Sequence, residues 1–223
     1  EAWLSEHQTE LALAHWCQRH ADQLPPAHYL SHWYPTASGT KNPVHDLTVL
    51  DADPLRQQAQ LTDLAAALTQ QSDFASHPTW RGACAENGPW NRLRDRPAAQ
   101  PERTAWSRMS ARWVELLLLA NAPHRAEGAP ALLSCGALRL RAGQAIGWCE
   151  MARGLLLHWV QVDQEGAVQD YRVLAPTEWN FHPQGALAQA VAALAPQDQA
   201  QAAMLAAAFD PCVACSVVGQ GAA

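Results

Sequence analysis

The chain is short of lysine, of charge and of long apolar runs. Of its 15 Lys and Arg residues only Lys41 is a lysine, and charged residues make up 16% of the sequence. The 21 acidic residues outweigh the basic ones and leave a net charge of −6. That balance supplies no electropositive surface for a nucleic-acid backbone. The longest apolar run, Val114 and Leu116 to Ala120, is interrupted by Glu115 and falls far below the roughly 20 residues of a membrane span. No basic–apolar–small leader opens the sequence. P-loop, dinucleotide-binding, G-x-S-x-G and HExxH patterns are all missing. What is present is 48% apolar residues over 223 positions, enough for one generous core or two small ones, and ten tryptophans against three each of Tyr and Phe. A globally disordered chain is excluded on that composition.

The six cysteines are Cys17, Cys84, Cys135, Cys149, Cys212 and Cys215. Their spacing is irregular and the chain is long, so reduced cytoplasmic thiols fit better than a disulfide framework. Only Cys212 and Cys215 form a CxxC pair, able to offer two thiolates to one metal ion. The other four read as small buried hydrophobes. His15, His20, His28 and His32 gather near the N-terminus, but His15 and His20 are five apart rather than the four of a zincin pair, no HExxH is present, and the cluster reads as a solvated or partner-facing surface.

Periodicity divides the chain. Glu1 to Ala21 reads as a helix stopped by Pro25 and Pro26, and His28 to Pro43 as irregular. Asp53 is a candidate N-cap for a helix to about Gln71, with Leu55, Leu61, Leu64, Ala65 and Leu68 on one face. Arg94 to Arg103 reads as a linker or exposed loop. Thr104 to Asn121 is a strongly apolar helix with Trp106, Met109, Trp113, Leu116, Leu117 and Ala120 in its stripe. From Ala137 the period becomes two, and four strands ending at Leu174 form an antiparallel meander. Two alanine-rich helices, Ala186 to Ala195 and Gln197 to Ala208, precede the CxxC tail. The expected fold is α+β, mostly helical, in a single domain over 1–223. It comprises a helical part at 1–130, the meander at 137–176, and the C-terminal helices and tail at 184–223.

Four stretches carry a family likeness. Phe209-Asp-Pro-Cys-Val-Ala-Cys215 resembles the C-terminal DPCxxC motif of [NiFe] hydrogenase large subunits, whose thiolates hold the metal centre. Gly147-Trp-Cys-Glu150-Met-Ala-Arg153-Gly154-Leu-Leu-Leu-His158-Trp159 is similar to that family's E-x-P-R-G-x-L-x-H-W strand pair. Ala175-Pro176-Thr177-Glu178-Trp179-Asn180 resembles its V-P-[ST]-x-W-N turn. More weakly, Ala85-Glu86-Asn87-Gly88-Pro89-Trp90-Asn91-Arg92-Leu93 resembles its E-x-G-P-L-A-R segment. The four occur in the family's order.

Departures narrow the likeness. Catalytic members carry a second CxxC within R-x-C-G-x-C, which these residues lack; Val218 stands where the family has a histidine, and Ala152 where it has a proline. Only Gly219 to Ala223 follow Val218, too few for the family's removable tail. This pattern resembles the HupK/HoxV group of hydrogenase maturation scaffolds. The resemblance implies a non-catalytic carrier that transiently binds the Fe(CN)2CO unit, without nickel, and transfers it to the apo hydrogenase large subunit. A HypC-like maturation chaperone and a HypD-type assembly complex are the implied partners, with no nucleic acid and no membrane. Cys212 and Cys215 would be the iron ligands. Arg153, Pro176 and Thr177 would line the pocket for the cyanide and carbonyl ligands, and Glu150 would orient Arg153 or cap the sheet. His158 and Trp159 would pack and hydrogen-bond rather than ligate. Two alternatives stand beside this one. The chain opens on Glu1 rather than Met, so it could be a fragment of a catalytic large subunit whose other CxxC lies upstream. The other alternative is a metal-free structural interaction protein.

Overall fold

The computed structural model describes residues 10–33, 45–46, 50–51, 53–93, 103–122 and 133–218. The expected helix before Glu10, the irregular stretch after Trp33 and the linker before Arg103 lie outside them. The architecture is α+β, helical with a four-stranded antiparallel sheet. Two compact units account for it, one made of the described parts of Glu1–Pro43, Arg92–Leu132 and Leu187–Ala223, the other of Val44–Asn91 and Leu133–Ala186.

The first unit is helical. It holds α1 (Glu10–His20) and α2 (Pro25–Ser31), then α5 (Ala105–Ala120), most of α7 (Ala186–Ala192) and α8 (Gln199–Ala208). Pro25 and Pro26 do more than end the first helix: they occupy the first turn of α2, where a missing N–H costs nothing. Leu13, Cys17, Leu30, Trp106, Met109 and Leu205 are buried together as its core. Helix α5 starts on a reciprocal cap. The Thr104 hydroxyl accepts the Ser107 N–H at 2.9 Å, and the Ser107 hydroxyl accepts the Thr104 N–H at 2.8 Å. Leu116 and Ala120, expected in the apolar stripe, are exposed, whereas Glu115 is buried. Its carboxylate accepts two hydrogen bonds of 2.7 Å from Arg92, so the charge is neutralised where it is buried.

The second unit is built on the sheet β3 (Cys135–Arg141), β4 (Gln144–Met151), β5 (Gly154–Val162) and β6 (Val168–Leu174), paired in that order. Helix α3 (Pro54–Gln70) packs on it. Asp53 caps α3 as expected, its Oδ1 accepting the Leu55 and Arg56 N–H groups at 3.1 and 3.0 Å. At the other end Arg172 donates to the Leu68 carbonyl at 2.6 Å, placing a cation at the helix C-terminus. Leu61, Leu64 and Leu68 meet Ile146, Leu155, Leu157 and Trp159 in the core, and Phe74 sets its ring edge against Trp179 with centroids 5.9 Å apart. Leu55, placed on that apolar face by its spacing, is instead 78% exposed, because it lies in the first turn. A short parallel pair, β1 (His45–Asp46) with β2 (Ala85–Glu86), and the short helices α4 (Pro89–Leu93) and α6 (Pro176–Asn180) complete the elements.

The cysteines depart from the expectation of burial. Cys17 is buried, and burial pushes its thiol up to about 11. Cys84 is half-buried, but Cys135 and Cys149 are exposed. The period of two explains this. Ile146, Leu155, Leu157 and Trp159 occupy the inward positions, which puts Cys135 and Cys149 on the opposite face with Leu156, His158 and Val160.

Candidate metal-ligand loop and the motif network

The CxxC pair follows α8 in the first unit. Phe209 ends the helix, its ring 3% exposed and its N–H bonded back to the Leu205 carbonyl at 3.2 Å. Asp210 then takes a left-handed conformation (φ 54°) while its N–H reaches the Ala207 carbonyl at 3.0 Å. Aspartate is among the few non-glycine residues that tolerate this well, and Pro211 cannot continue a helix. The Asp-Pro step therefore turns the chain out of α8 and delivers Cys212 and Cys215 into solvent, both as exposed free thiols. The stem is held from α5. The Arg108 guanidinium lies 4.3 Å from the Phe209 ring centre, and the same group donates to the Arg103 carbonyl at 2.7 Å. Arg108 is 4% exposed, so this cation over the ring belongs to the buried packing under the loop. It had no signal in the sequence beyond being a polar residue inside an apolar helix.

Of the other three motifs, two fall wholly in the second unit and the third does so as far as Asn91, and one hydrogen-bond network joins them there. From the Glu86-Asn87-Gly88 segment, the Asn87 carboxamide oxygen accepts the Leu155 N–H at 2.9 Å. The Asn180 side chain accepts the Asn87 N–H at 2.9 Å and donates to the Asn87 carbonyl at 2.8 Å. It also donates to the Arg153 carbonyl at 3.3 Å. Both asparagines are buried. Two glycines permit the close approach. Gly154 (φ 132°) has the Asn87 side chain and backbone where a Cβ would project, and Gly88 (φ 150°) faces the Arg153 carbonyl oxygen, which a Cβ would meet at 3.3 Å. The final Asn of the W-N turn and the Gly of R-G are thus explained by packing between motifs.

The sequence-predicted site residues distribute accordingly. Arg153 lies at the β4–β5 turn, half-buried, with its backbone in the network. Pro176 is buried in the first turn of α6, and Thr177 follows it, half-buried, its carbonyl accepting the Phe181 N–H at 2.8 Å. Glu150, 4% exposed, ties down the start of β3: its carboxylate accepts the Ser134 N–H at 2.8 Å while its own N–H donates to the Ser134 carbonyl at 2.8 Å. These two bonds hold the start of β3 to β4. His158 hydrogen-bonds the Tyr171 hydroxyl, and Trp159 is core. The network brings Arg153 and the helix bearing Pro176 and Thr177 together, while Cys212 and Cys215 belong to the first unit.

One further pair escaped the sequence reading. Cys84 Sγ lies 3.2 Å from His182 Nδ1, which also accepts the Gln184 N–H at 3.1 Å. The His77 ring stands edge-on to His182, with centroids 5.8 Å apart. Burial, then the charge of His77, hold the His182 imidazole below its ordinary value; burial alone raises the Cys84 thiol. Among the described residues no group of three or more His, Cys, Asp or Glu side chains is set to hold a metal ion. Near the N-terminus His28 and His32 pack ring to ring at 4.5 Å, in keeping with a surface cluster.

Comparison with known proteins adds an independent line. Residues 138–218 match the family model described as nickel-dependent hydrogenase. Over 94% of its length the chain is 35% identical to the hydrogenase expression/formation protein HoxV of Cupriavidus necator, covering 63% of that protein. It is 33% identical to the hydrogenase expression/formation protein HupK of Rhizobium leguminosarum over 68% of its length, covering 43% of that protein. It thus spans less than two thirds of these relatives. A variant of the [NiFeSe] hydrogenase from Desulfovibrio vulgaris Hildenborough superposes partially, with a TM-score of 0.41 and 21% identity over 61% of this chain and 36% of that one. By sequence the chain is similar to the HoxV and HupK hydrogenase expression/formation proteins, and its residues 138–218 match the nickel-dependent hydrogenase family model.

Proposed function

We propose that this protein is a non-catalytic scaffold in [NiFe] hydrogenase maturation that receives the Fe(CN)2CO unit as cargo and passes it to the apo large subunit. The observation that carries the reading is the exposed DPCxxC loop, in a chain whose relatives are named for hydrogenase formation. Cys212 and Cys215 act as two thiolate ligands to iron, a soft donor set suited to iron bearing strong-field ligands. Exposure on a loop suits handover, because an incoming protein's thiolates can reach the metal and replace these one at a time. Each exchange breaks one Fe–S bond to this chain and forms one to the acceptor. Arg153 and Thr177 are assigned as donors to the cyanide nitrogens and Pro176 as an apolar wall, all three by family resemblance; Glu150 supports the strand that leads to Arg153. Nickel has no place in this reading. A HypC-like chaperone and a HypD-type complex supply the cargo, and the reaction runs in the cytoplasm. No helix among the described residues is long and apolar enough to cross a membrane.

Infrared spectroscopy on protein purified from hydrogenase-producing cells tests the proposal. Cyanide and carbonyl stretching bands are expected, and Cys212→Ala or Cys215→Ala is expected to abolish them. Iron-free protein without such bands would overturn the reading in favour of a metal-free interaction protein. Stoichiometric nickel with hydrogen uptake would overturn it in favour of a catalytic fragment.

A further inference from the structure

The sheet opposes two cysteines that no motif uses. Cys135 on β3 and Cys149 on β4 are directly paired across the antiparallel ladder, and both are exposed free thiols. The phase of the ladder at this point is fixed by its neighbours. The Glu150 N–H donates to the Ser134 carbonyl at 2.8 Å, one step beyond the pair. Cys135 and Cys149 therefore occupy a non-hydrogen-bonded position, the one at which opposed residues come closest, with Cα atoms about 4.5 Å apart. A disulfide bridges Cα separations of roughly 4.4–6.8 Å. The next positions along the same face are Ala137 and Gly147, which leave the space beside the thiols open. Strand β3 is the edge of the sheet, so a small reagent can approach from its side. Neither Cys17, buried in the helical core, nor Cys84, seated against His182, has this arrangement.

We propose that Cys135 and Cys149 form a cross-strand dithiol site that low-molecular-weight disulfides convert reversibly to an intramolecular disulfide. In the first step one cysteine thiolate attacks a sulfur of the small disulfide; a protein–small-molecule mixed disulfide forms and one small thiolate leaves. In the second step the opposed cysteine attacks the protein sulfur of that mixed disulfide and expels the other small thiolate. The two protons lost by the cysteines are taken up by the two released thiolates. The protein dithiol is oxidised by two electrons, and the small disulfide is reduced to two thiols. Exposed disulfides belong to the labile class, so a dithiol reductant reverses the reaction. The site stands whether or not Cys212 and Cys215 hold iron.

The test uses the full chain carrying Cys212→Ser and Cys215→Ser, which removes the competing pair. The folded protein is incubated with glutathione disulfide, its remaining thiols are alkylated, and the product is digested with trypsin. Cleavage after Arg139 and Arg141 puts Cys135 and Cys149 on separate peptides unless they are bridged. The expected product is the linked pair of peptides, lighter than their sum by two hydrogens and released by dithiothreitol. Two separate glutathione adducts, two alkylated thiols, or a bridge to Cys17 or Cys84 would each overturn the proposal. Adding Cys135→Ser is expected to leave glutathione held on Cys149, because the resolving thiol is gone; Cys149 found fully alkylated there would also overturn it.

Discussion

The two units keep their family motifs in opposite ways. In the second, three motifs are locked to one another by buried side-chain-to-backbone hydrogen bonds through Asn87 and Asn180. In the first, the single DPCxxC motif hangs in solvent, and only its stem, Phe209 beneath Arg108, is held by packing. Motif residues in the second unit are consequently structural as well as functional candidates, so a substitution there confounds the two. The CxxC thiols of the first unit, Cys212 and Cys215, are separable from the fold. Variants that strike each region test that contrast.

The largest effect belongs to the buried ion pair of the helical unit. Arg92 and Glu115 are joined by two 2.7 Å hydrogen bonds, with side chains 5% and 6% exposed. Glu115→Ala removes the carboxylate that accepts two of the arginine's hydrogen bonds in a buried pair, and breaking such a pair costs about 3–5 kcal/mol. Urea unfolding followed by tryptophan fluorescence should register it. Replacing both partners by apolar residues (Arg92→Met with Glu115→Leu) should recover most of the loss; equal destabilisation by the double variant would show that the pair matters for more than charge compensation.

Next comes the motif network. Asn180→Ala deprives a buried N–H and two carbonyls of partners, at a cost of about 1–3 kcal/mol for each buried group left unsatisfied. We expect a total of about 2–4 kcal/mol by denaturant unfolding. A change below about 0.5 kcal/mol, the level of ordinary surface substitutions, would dissolve the proposed contrast between the units.

A smaller, pH-dependent effect arises at His182. Its folded-state pKa is lowered, first by burial and then by His77, so the unfolded chain takes up the proton first. Stability is therefore full above the ordinary imidazole value of about 6.5 and falls as the pH drops below it. Protonation would also cost the Gln184 N–H its acceptor at Nδ1. His77→Gln is expected to reduce the loss between neutral pH and about pH 5, measured as the fall in thermal midpoint. An unchanged pH profile would remove His77 from this account.

These effects differ in how far the sequence announces them. The four strands were legible because a period of two marks most of them and glycine marks each turn, and Asp53 announced its helix by cap chemistry, as the apolar stripe from Trp106 announced the helix at 105–120. The motifs were legible as motifs, but their mutual bonding was not: Asn87 and Asn180 are 93 residues apart, and nothing local states that one caps the other. Leu55 and Leu116 misled because spacing marks a helical face without marking where the neighbouring core ends. Arg92 with Glu115, Cys84 with His182, and Cys135 opposite Cys149 all required strand register or tertiary packing, which no single periodicity contains.

The smallest effect on stability is the most informative about function. Cys212 and Cys215 are exposed, and among the described residues neither thiol belongs to a buried core cluster. Cys212→Ala should therefore change the unfolding free energy by no more than about 0.5 kcal/mol. Yet it removes one of the two thiolates that the loop offers, so on the proposed scaffold role it should abolish the expected cyanide and carbonyl bands and the bound iron together. Arg108→Met separates stem from ligand: both thiols remain, but the cation over Phe209 is lost. It should lower the iron retained after gel filtration while leaving both thiols reactive toward a thiol reagent. If Arg108→Met retains iron as fully as the unaltered chain, the Phe209 stem does not position the loop, and the thiol pair binds as a freely moving chelate.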